Sequence, residues 1–395
     1  MPTQLTEDLS KSEERTSALA ALRKGVNPFS NAVAAVGTAS ESIQTDVRAH
    51  SEQQLEDLLK IISLYRVGGT PTRIYPIVGD PGSGKTHLLY VLRSELRQLA
   101  IRSSEETVFV IVERFAQGTD PIDYLLWQIS NYMLSNKGDG ERLLRVSAGQ
   151  LTGRLLAEAL RRLNPPQQIE LIPAKGLWQR IRMRFGSPKL AQQRLSAVAR
   201  LIEIADSSPE PAALRKACED SGIKPKLAFR VIKSHIDQTQ SRNAHDWFRR
   251  ELFCRIATFA LLGDRNPFDD FHDGEIELPT YVRDGGNVSR CLLDVWLDLL
   301  DTLHVPVVVV FDQLEEYLRG STKELEDINY RDFVRAMTSF IDKLPNICVL
   351  AFASEGTWTA LVNYQTDPYS RQRLAQQFSL PGQPARTSIK MPTRV

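Results

Sequence analysis

The sequence predicts an α/β protein in which a parallel sheet lies between two layers of helices and is interrupted by a large helical insertion. Three observations predict this. A short apolar strand, residues 73–78 (RIYPIV), runs into a glycine-rich loop, 79–86 (GDPGSGKT), and then into a segment with helix-period apolar positions, 87–99 (HLLYVLRSELRQL). A run of β-branched residues, 305–311 (VPVVVVF), has the continuous apolarity of a strand buried on both faces and ends on Asp312. Between them, Ala116 to His304 make roughly 190 residues, far too many for a simple crossover connection.

The elements follow in order. Residues 1–45 form a weakly patterned leader of small residues, expected to be mobile or held by a partner. In residues 50–65, Leu55, Leu58, Leu59, Ile62 and Tyr65 share one helical face, so this helix should pack beside the first strand. The helix after the glycine loop begins at Gly84 or Lys85. Residues 107–112 read as a second strand, and Asp120, Pro121 and Asp123 signal a helix start before Ile122, Leu125, Leu126, Ile129 and Met133. The long interval reads as helices broken at Asn164-Pro165-Pro166, Gly186-Ser187-Pro188, Ser208-Pro209 and Asn266-Pro267. After Phe311 the alternation resumes with a helix through Phe333, Met337, Phe340 and Ile341, a strand at 347–353 and a weaker strand pattern at 388–391. The expected organisation is a leader (1–45), the first half of the sheet core (46–135), a helical insertion (136–285) and the second half of the core (286–395).

With 395 residues, 42% of them apolar, the chain has ample material for a core. Its most apolar run is far shorter than the ~20 residues of a membrane span, and its polar, acidic start lacks the apolar region of a signal peptide. No membrane association and a cytoplasmic location are therefore expected. Cys218, Cys254, Cys291 and Cys348 are too dispersed for a zinc or redox motif and are expected to be small buried hydrophobes. A net charge of +1 conceals a strong segregation. Residues 141–250 carry 21 Lys and Arg against 10 Asp and Glu, and residues 264–332 carry 6 against 17.

The chemistry is concentrated in GDPGSGKT, which fits the P-loop pattern G-x-x-x-x-G-K-[ST]. In such a loop Gly79, Asp80, Pro81, Gly82, Ser83 and Gly84 turn backbone N–H groups inward around phosphate oxygens. The helix N-terminus adds its positive dipole end. Lys85 is expected to reach the β and γ phosphates and Thr86 to ligate Mg2+, which makes ATP or GTP the expected ligand. Such a site also needs a carboxylate at the end of a buried strand to hold the metal from the other side, and Asp312 fits that role. Hydrolysis requires a further group to orient or deprotonate a water. Glu315 and Glu316 in DQLEEYL are the nearest carboxylates; Glu315, one turn beyond Asp312, is the candidate, and the alternative is an acidic helix start favoured by the dipole.

GDPGSGKT, VVVVFDQLEE and the downstream CVLAFASEG together resemble the AAA+ and STAND divisions of P-loop NTPases. The Asp-Gln-Leu-Glu-Glu variant is similar to STAND-type ATPases and to ATP-binding proteins of bacterial phage-defence systems. The resemblance covers residues ~46–135 and ~286–391 and leaves out the insertion. It implies an ATP- and Mg2+-dependent ATPase acting as a switch or motor, assembling as a homo-oligomer or with a partner protein. It further implies a sensor role for Ser354 and an arginine finger, at Arg371 or Arg373, reaching a neighbour's γ phosphate. Two departures stand out. Gln313 occupies the place of the AAA+ catalytic glutamate, and no residues follow Val395 to form the usual helical lid, so either a longer chain or a partner is expected to complete the site. A scaffold that holds ATP without turnover is the alternative.

In the insertion, Arg154, Arg161, Arg162, Lys175, Arg180, Arg182 and Arg184 gather around Trp178 and Phe185. Basic residues interleaved with aromatics can hold phosphates and stack bases. Three readings stand side by side: contact with nucleic acid, docking on the acidic 264–332 segment or a partner protein, and a solvated helix face whose aromatics belong to the core.

Overall fold

The computed structural model describes residues 48–112, 121–134, 139–172, 188–207, 209–238, 243–263, 288–363 and 368–392. In chain order the elements are α1 (Arg48–Arg66), β1 (Arg73–Val78), α2 (Lys85–Ser103), β2 (Val108–Ile111), α3 (Pro121–Leu134), α4 (Asp139–Arg162), α5 (Pro165–Glu170), α6 (Pro188–Asp206), α7 (Pro211–Asp220), α8 (Pro225–Asp237), α9 (Ala244–Leu262), α10 (Val288–Thr302), β3 (Val307–Phe311), α11 (Leu314–Leu318), α12 (Lys323–Lys343), β4 (Ile347–Ala353), α13 (Glu355–Asn363), α14 (Pro368–Leu374) and β5 (Ile389–Lys390). The leader, Lys175, Arg180, Arg182 and Arg184 with Trp178 and Phe185, Gly186-Ser187 and the Asn266-Pro267 break lie outside the described residues.

The five strands form one parallel sheet in the order β2-β3-β4-β1-β5. Every residue of β3 and β4 is buried, as a parallel sheet covered on both faces requires. Alternate residues serve opposite faces. Val307, Val309 and Phe311, with Ile347, Val349 and Ala351, face a core completed by α3, α4, α9, α10 and α12. Val308 and Val310, with Cys348, Leu350 and Phe352, face a second core completed by α1 and α2. The α1 stripe is rotated slightly from the sequence reading: Leu58, Ile62 and Tyr65 are buried as expected, Ile61 joins them, and Leu55 and Leu59 are only partly covered. β2 and β3 are each shorter than their apolar patterns: Val305 lies in the core before the β3 ladder begins, and Val112 continues the core just past β2, its N–H donating to Val310 O at 2.8 Å.

The helices between β2 and β3 have a core of their own, built from α4, α6, α7, α8 and α9. α4 and α9 join it to the sheet. The first half of α4 puts Leu143, Leu144 and Leu151 into the sheet core, and its second half puts Leu156 and Leu160 into the helical one. α9 does the same with Phe248 and Leu252 on one side and Ala257 and Leu261 on the other.

The last strand is only two residues long and is held by side chains from α1. Gln54 donates to the Lys390 carbonyl at 3.0 Å. Asp57, 2% exposed, accepts from Arg386 at 2.8 Å and from Gln383 at 2.9 Å. Burial pushes the Asp57 carboxyl up, but the Arg386, Gln383 and Gln53 donors together outweigh it, and its pKa lies below the usual carboxylate value. A depressed pKa contributes stability that is present above the unfolded value and is lost as pH falls through the folded one. Arg386→Leu, which leaves Asp57 buried without its cation, is expected to cost about 3 kcal/mol of stability at neutral pH. In thermal melts the variant and parent curves should converge as the pH is lowered below the ordinary carboxylate range.

Candidate functional site

The glycine loop leaves β1 at the carboxyl edge of the sheet, where chemistry in open α/β sheets collects. Its first residue is fixed by the sheet: Gly79 N–H donates to Ala353 O at 3.3 Å, and Met391 N–H donates to Val78 O at 2.8 Å. A Cβ on Gly79 would lie 2.6 Å from Met391 Cβ and 2.7 Å from Ser83 Oγ, so only glycine fits between β5 and the loop. Ser83 N–H closes the loop on Asp80 O at 3.1 Å. Gly84, at φ +90°, turns the chain into α2 from a conformation that favours glycine. The first intrahelical bond of α2 is Leu88 N–H to Gly84 O at 2.8 Å, and no side chain caps the start of the helix. The amides of its first turn therefore precede the helical ladder.

β1 and β3 are not neighbours, because β4 lies between them. At about 4.8 Å per strand the gap is close to 10 Å. It is closed from both sides. The loop carries Thr86 out over the end of β4, and β3 stops at the Phe311–Ala351 pair, leaving Asp312 at the mouth. Thr86 Oγ1 donates to Asp312 Oδ1 at 3.4 Å, and the Gln313 N–H donates to the same oxygen at 3.0 Å. Burial pushes the Asp312 carboxyl up, with the nearby Glu315 adding to it; Thr86, Gln313 and Lys85 act against the shift without reversing it.

Gln313 holds φ +54°, ψ +51°, a left-handed conformation uncommon for glutamine, and from there starts α11. Its side-chain amide turns to Glu316, donating to Oε2 at 3.0 Å in the orientation that satisfies both groups. Glu315 points the other way and accepts from the main-chain N–H of Ser354 at the tip of β4. The Ser354 hydroxyl is engaged as a helix cap, accepting from Thr357 N–H at 3.1 Å and pairing with Thr357 Oγ1 at 2.8 Å. Lys85 folds back onto the loop, donating to Gly79 O at 2.7 Å and Asp80 O at 3.0 Å.

Lys85, Thr86, Asp312, Glu315 and Ser354 are thus brought to one edge of the sheet. Arg373 is not. It pairs with Asp342 at 3.2 Å and lies over the Tyr369 ring at 5.1 Å. Asp342 is in the last turn of α12, just before β4 begins, which is the opposite edge of the sheet. Arg371 is exposed on the same short helix. Of the basic cluster expected around Trp178, the described members are Arg154, which donates to Thr302 O at 2.7 Å, Arg161, which pairs with Asp206, and Arg162, which is exposed. Among the described residues no cluster of His, Cys, Asp and Glu could hold a metal ion by itself. No helix among them is long and apolar enough to cross a membrane.

Sequence reasoning missed one contributor, Met391, which supplies the wall against Gly79. It named Ser83 for its main-chain N–H, and the structure adds that the Ser83 hydroxyl is buried beside Gly79 with no hydrogen-bond partner. The serine was visible within the motif; the methionine had no local signal, since only strand pairing brings β5 to β1. Comparison with protein-family models, curated proteins and solved structures found no match for this chain.

Asp312 is partly buried with its pKa raised, so its charge opposes folding. The penalty is present above its folded pKa and is relieved as pH falls toward the ordinary carboxylate value. Asp312→Asn is therefore expected to raise the melting temperature of the ligand-free protein by a few degrees at neutral pH, with the difference vanishing in acid. Differential scanning fluorimetry across pH reads both.

Proposed function

We propose that this chain binds ATP with Mg2+ at the loop after β1 and hydrolyses it, as a switch or motor subunit of the AAA+/STAND type. The observation that carries the reading is the convergence of Thr86 and Asp312 to 3.4 Å across the end of an intervening strand. A hydroxyl and a carboxylate meeting beside a glycine turn form the donor set that a hard divalent ion bridging phosphates takes. The Gly79 position, which a Cβ would fill, and the unpartnered Ser83 hydroxyl fit the same use.

Each residue then has a role. The N–H groups of the loop and of the first turn of α2 hold phosphate oxygens without desolvating a side chain. Lys85 exchanges its two loop carbonyls for phosphate oxygens, a substitution that its flexible stem permits. Thr86 and Asp312 hold the Mg2+, which when bound neutralises charge on the phosphates. Glu315 orients the attacking water and accepts its proton, for which it must leave the Ser354 amide. That amide belongs to the tip of the strand between the loop and Asp312, so occupancy of the site is coupled to α13 through the Ser354 cap.

A second reading, a scaffold that retains ATP without turnover, is favoured by one observation: Gln313 directly follows Asp312, and the first carboxylate beyond it is tied to Ser354. Bacterial defence is the setting that the sequence resemblance suggests for either reading.

Equilibrium ATP binding and phosphate release separate the two readings. Lys85→Ala should weaken ATP binding at least tenfold. Glu315→Gln should keep ATP affinity and lose about 100-fold or more in turnover. Turnover that survives both substitutions would overturn the site assignment. Parent turnover no faster than that of Glu315→Gln, with ATP binding intact, would establish the scaffold.

A further inference from the structure

The insertion carries a second element, one that nucleotide binding does not use. α7 and α8 are joined by four residues, Ser221, Gly222, Ile223 and Lys224. Main-chain bonds fix the turn: Ser221 N–H donates to Ala217 O at 3.0 Å, Ile223 N–H donates to Cys218 O at 2.9 Å, and Gly222 holds φ +78°. Ile223 is fully buried, which pins the turn to the helical core, and Pro225 starts the second helix at its first position. α4 and α9 lie behind the pair, with Leu156 of α4 and Leu261 of α9 sharing one core with Leu214 of α7 and Ile232 of α8. Two short helices, a tight glycine turn and the helices supporting them make a helix–turn–helix unit.

The outer face of α8 is basic throughout. Lys226, Arg230 and Lys233 are exposed at positions i, i+4 and i+7 on one face, and Lys224, the N-cap before them, is exposed as well. Ala228, Ile232, His235 and Ile236 are buried on the opposite face. No acidic residue occurs from Lys224 to Ser234. None of the four cations makes an ion pair among the described residues, and Asp237, one turn beyond Lys233, is turned to Arg250 at 4.0 Å. Arg154 and Arg161, by contrast, are held by groups of the protein itself.

We infer that α7–α8 is a DNA-binding helix–turn–helix, with α8 entering the major groove of a duplex. A helix about 10–12 Å across fits a groove about 12 Å wide. Arg230, in the middle of the stripe, faces the base edges, where a guanidinium matches guanine O6 and N7; Lys224, Lys226 and Lys233 face the phosphates on either side. The deep, narrow major groove of duplex RNA excludes such a helix, so the surface discriminates between the two duplexes by shape. The inference goes beyond the nucleotide reading and does not depend on it.

Fluorescence anisotropy of the full chain with a mixed-sequence DNA duplex, and with an RNA duplex of the same sequence, tests this between about 50 and 200 mM salt. Duplex DNA should bind with Kd of about 1–100 μM, weakening steeply with salt. The double variant Lys226→Glu/Arg230→Glu should weaken binding at least about tenfold, and Lys226→Ala should reduce the salt slope by about 1. Lys343→Glu, an exposed residue on α12, should leave affinity within about twofold, and unchanged melting temperatures should accompany all three variants. The inference is overturned if no duplex DNA binds at the lowest salt or if duplex RNA binds as tightly. It is equally overturned if the α8 double variant binds like the parent while Arg162→Glu does not.

Discussion

The structure turns on a distance that the sheet makes too long. β1 and β3 carry the two halves of the candidate site, yet β4 separates them. Two side chains on adjacent parallel strands meet easily, whereas two on strands about 10 Å apart meet only if the chain beyond one strand leans across its neighbour. The loop at 79–86 does this by leaving β1 under constraint. Met391 and the Ala353 carbonyl hold Gly79 in place, and Gly84 then redirects the chain so that α2 begins over the end of β4. Asp312 rises from the other side because β3 stops short of β4.

That arrangement is possible only in a sheet buried on both faces. β4 contributes seven buried residues, none of them charged at neutral pH, between the two halves, and the first polar side chain after it is Ser354 at the tip. Polar groups therefore collect along one edge by exclusion from everything beneath. The long insertion does not loosen this core, because α4 and α9 are shared between the sheet and the helical cluster and give the inserted helices a continuous apolar attachment.

The polar side chains at the edge are held by other groups of the protein. Lys85 is satisfied by two carbonyls, Glu315 by a main-chain amide and Gln313 by Glu316. Asp312 alone bears a net penalty, its carboxyl raised first by burial and then by the proximity of Glu315. A partly buried acid with an unfavourable charge and a hydroxyl neighbour is a site at which a bound cation lowers the free energy, in keeping with the proposed role of Mg2+.

Much of this was legible in the sequence. The strand at 73–78, the strand at 347–353 and the helix start at Lys85 follow from apolar periodicity and glycine placement, signals that depend on a residue's immediate neighbours. The glycine-rich motif likewise singled out Lys85 and Thr86, and the end of the apolar run 305–311 singled out Asp312, residues that the structure brings to one edge of the sheet. Strand order, the reach of Thr86 over β4, Met391 against Gly79 and the commitment of Arg373 to Asp342 came only from the tertiary structure. The same holds for the insertion. Its proline breaks were readable, but which basic residues are exposed and which are held was not, because sequence records the charge of Arg154 and Lys226 alike and only packing decides which one meets a carbonyl. Local sequence fixes what each segment prefers by itself; contacts between residues hundreds of positions apart depend on how all the apolar faces are buried at once, and that is settled only when the chain has folded.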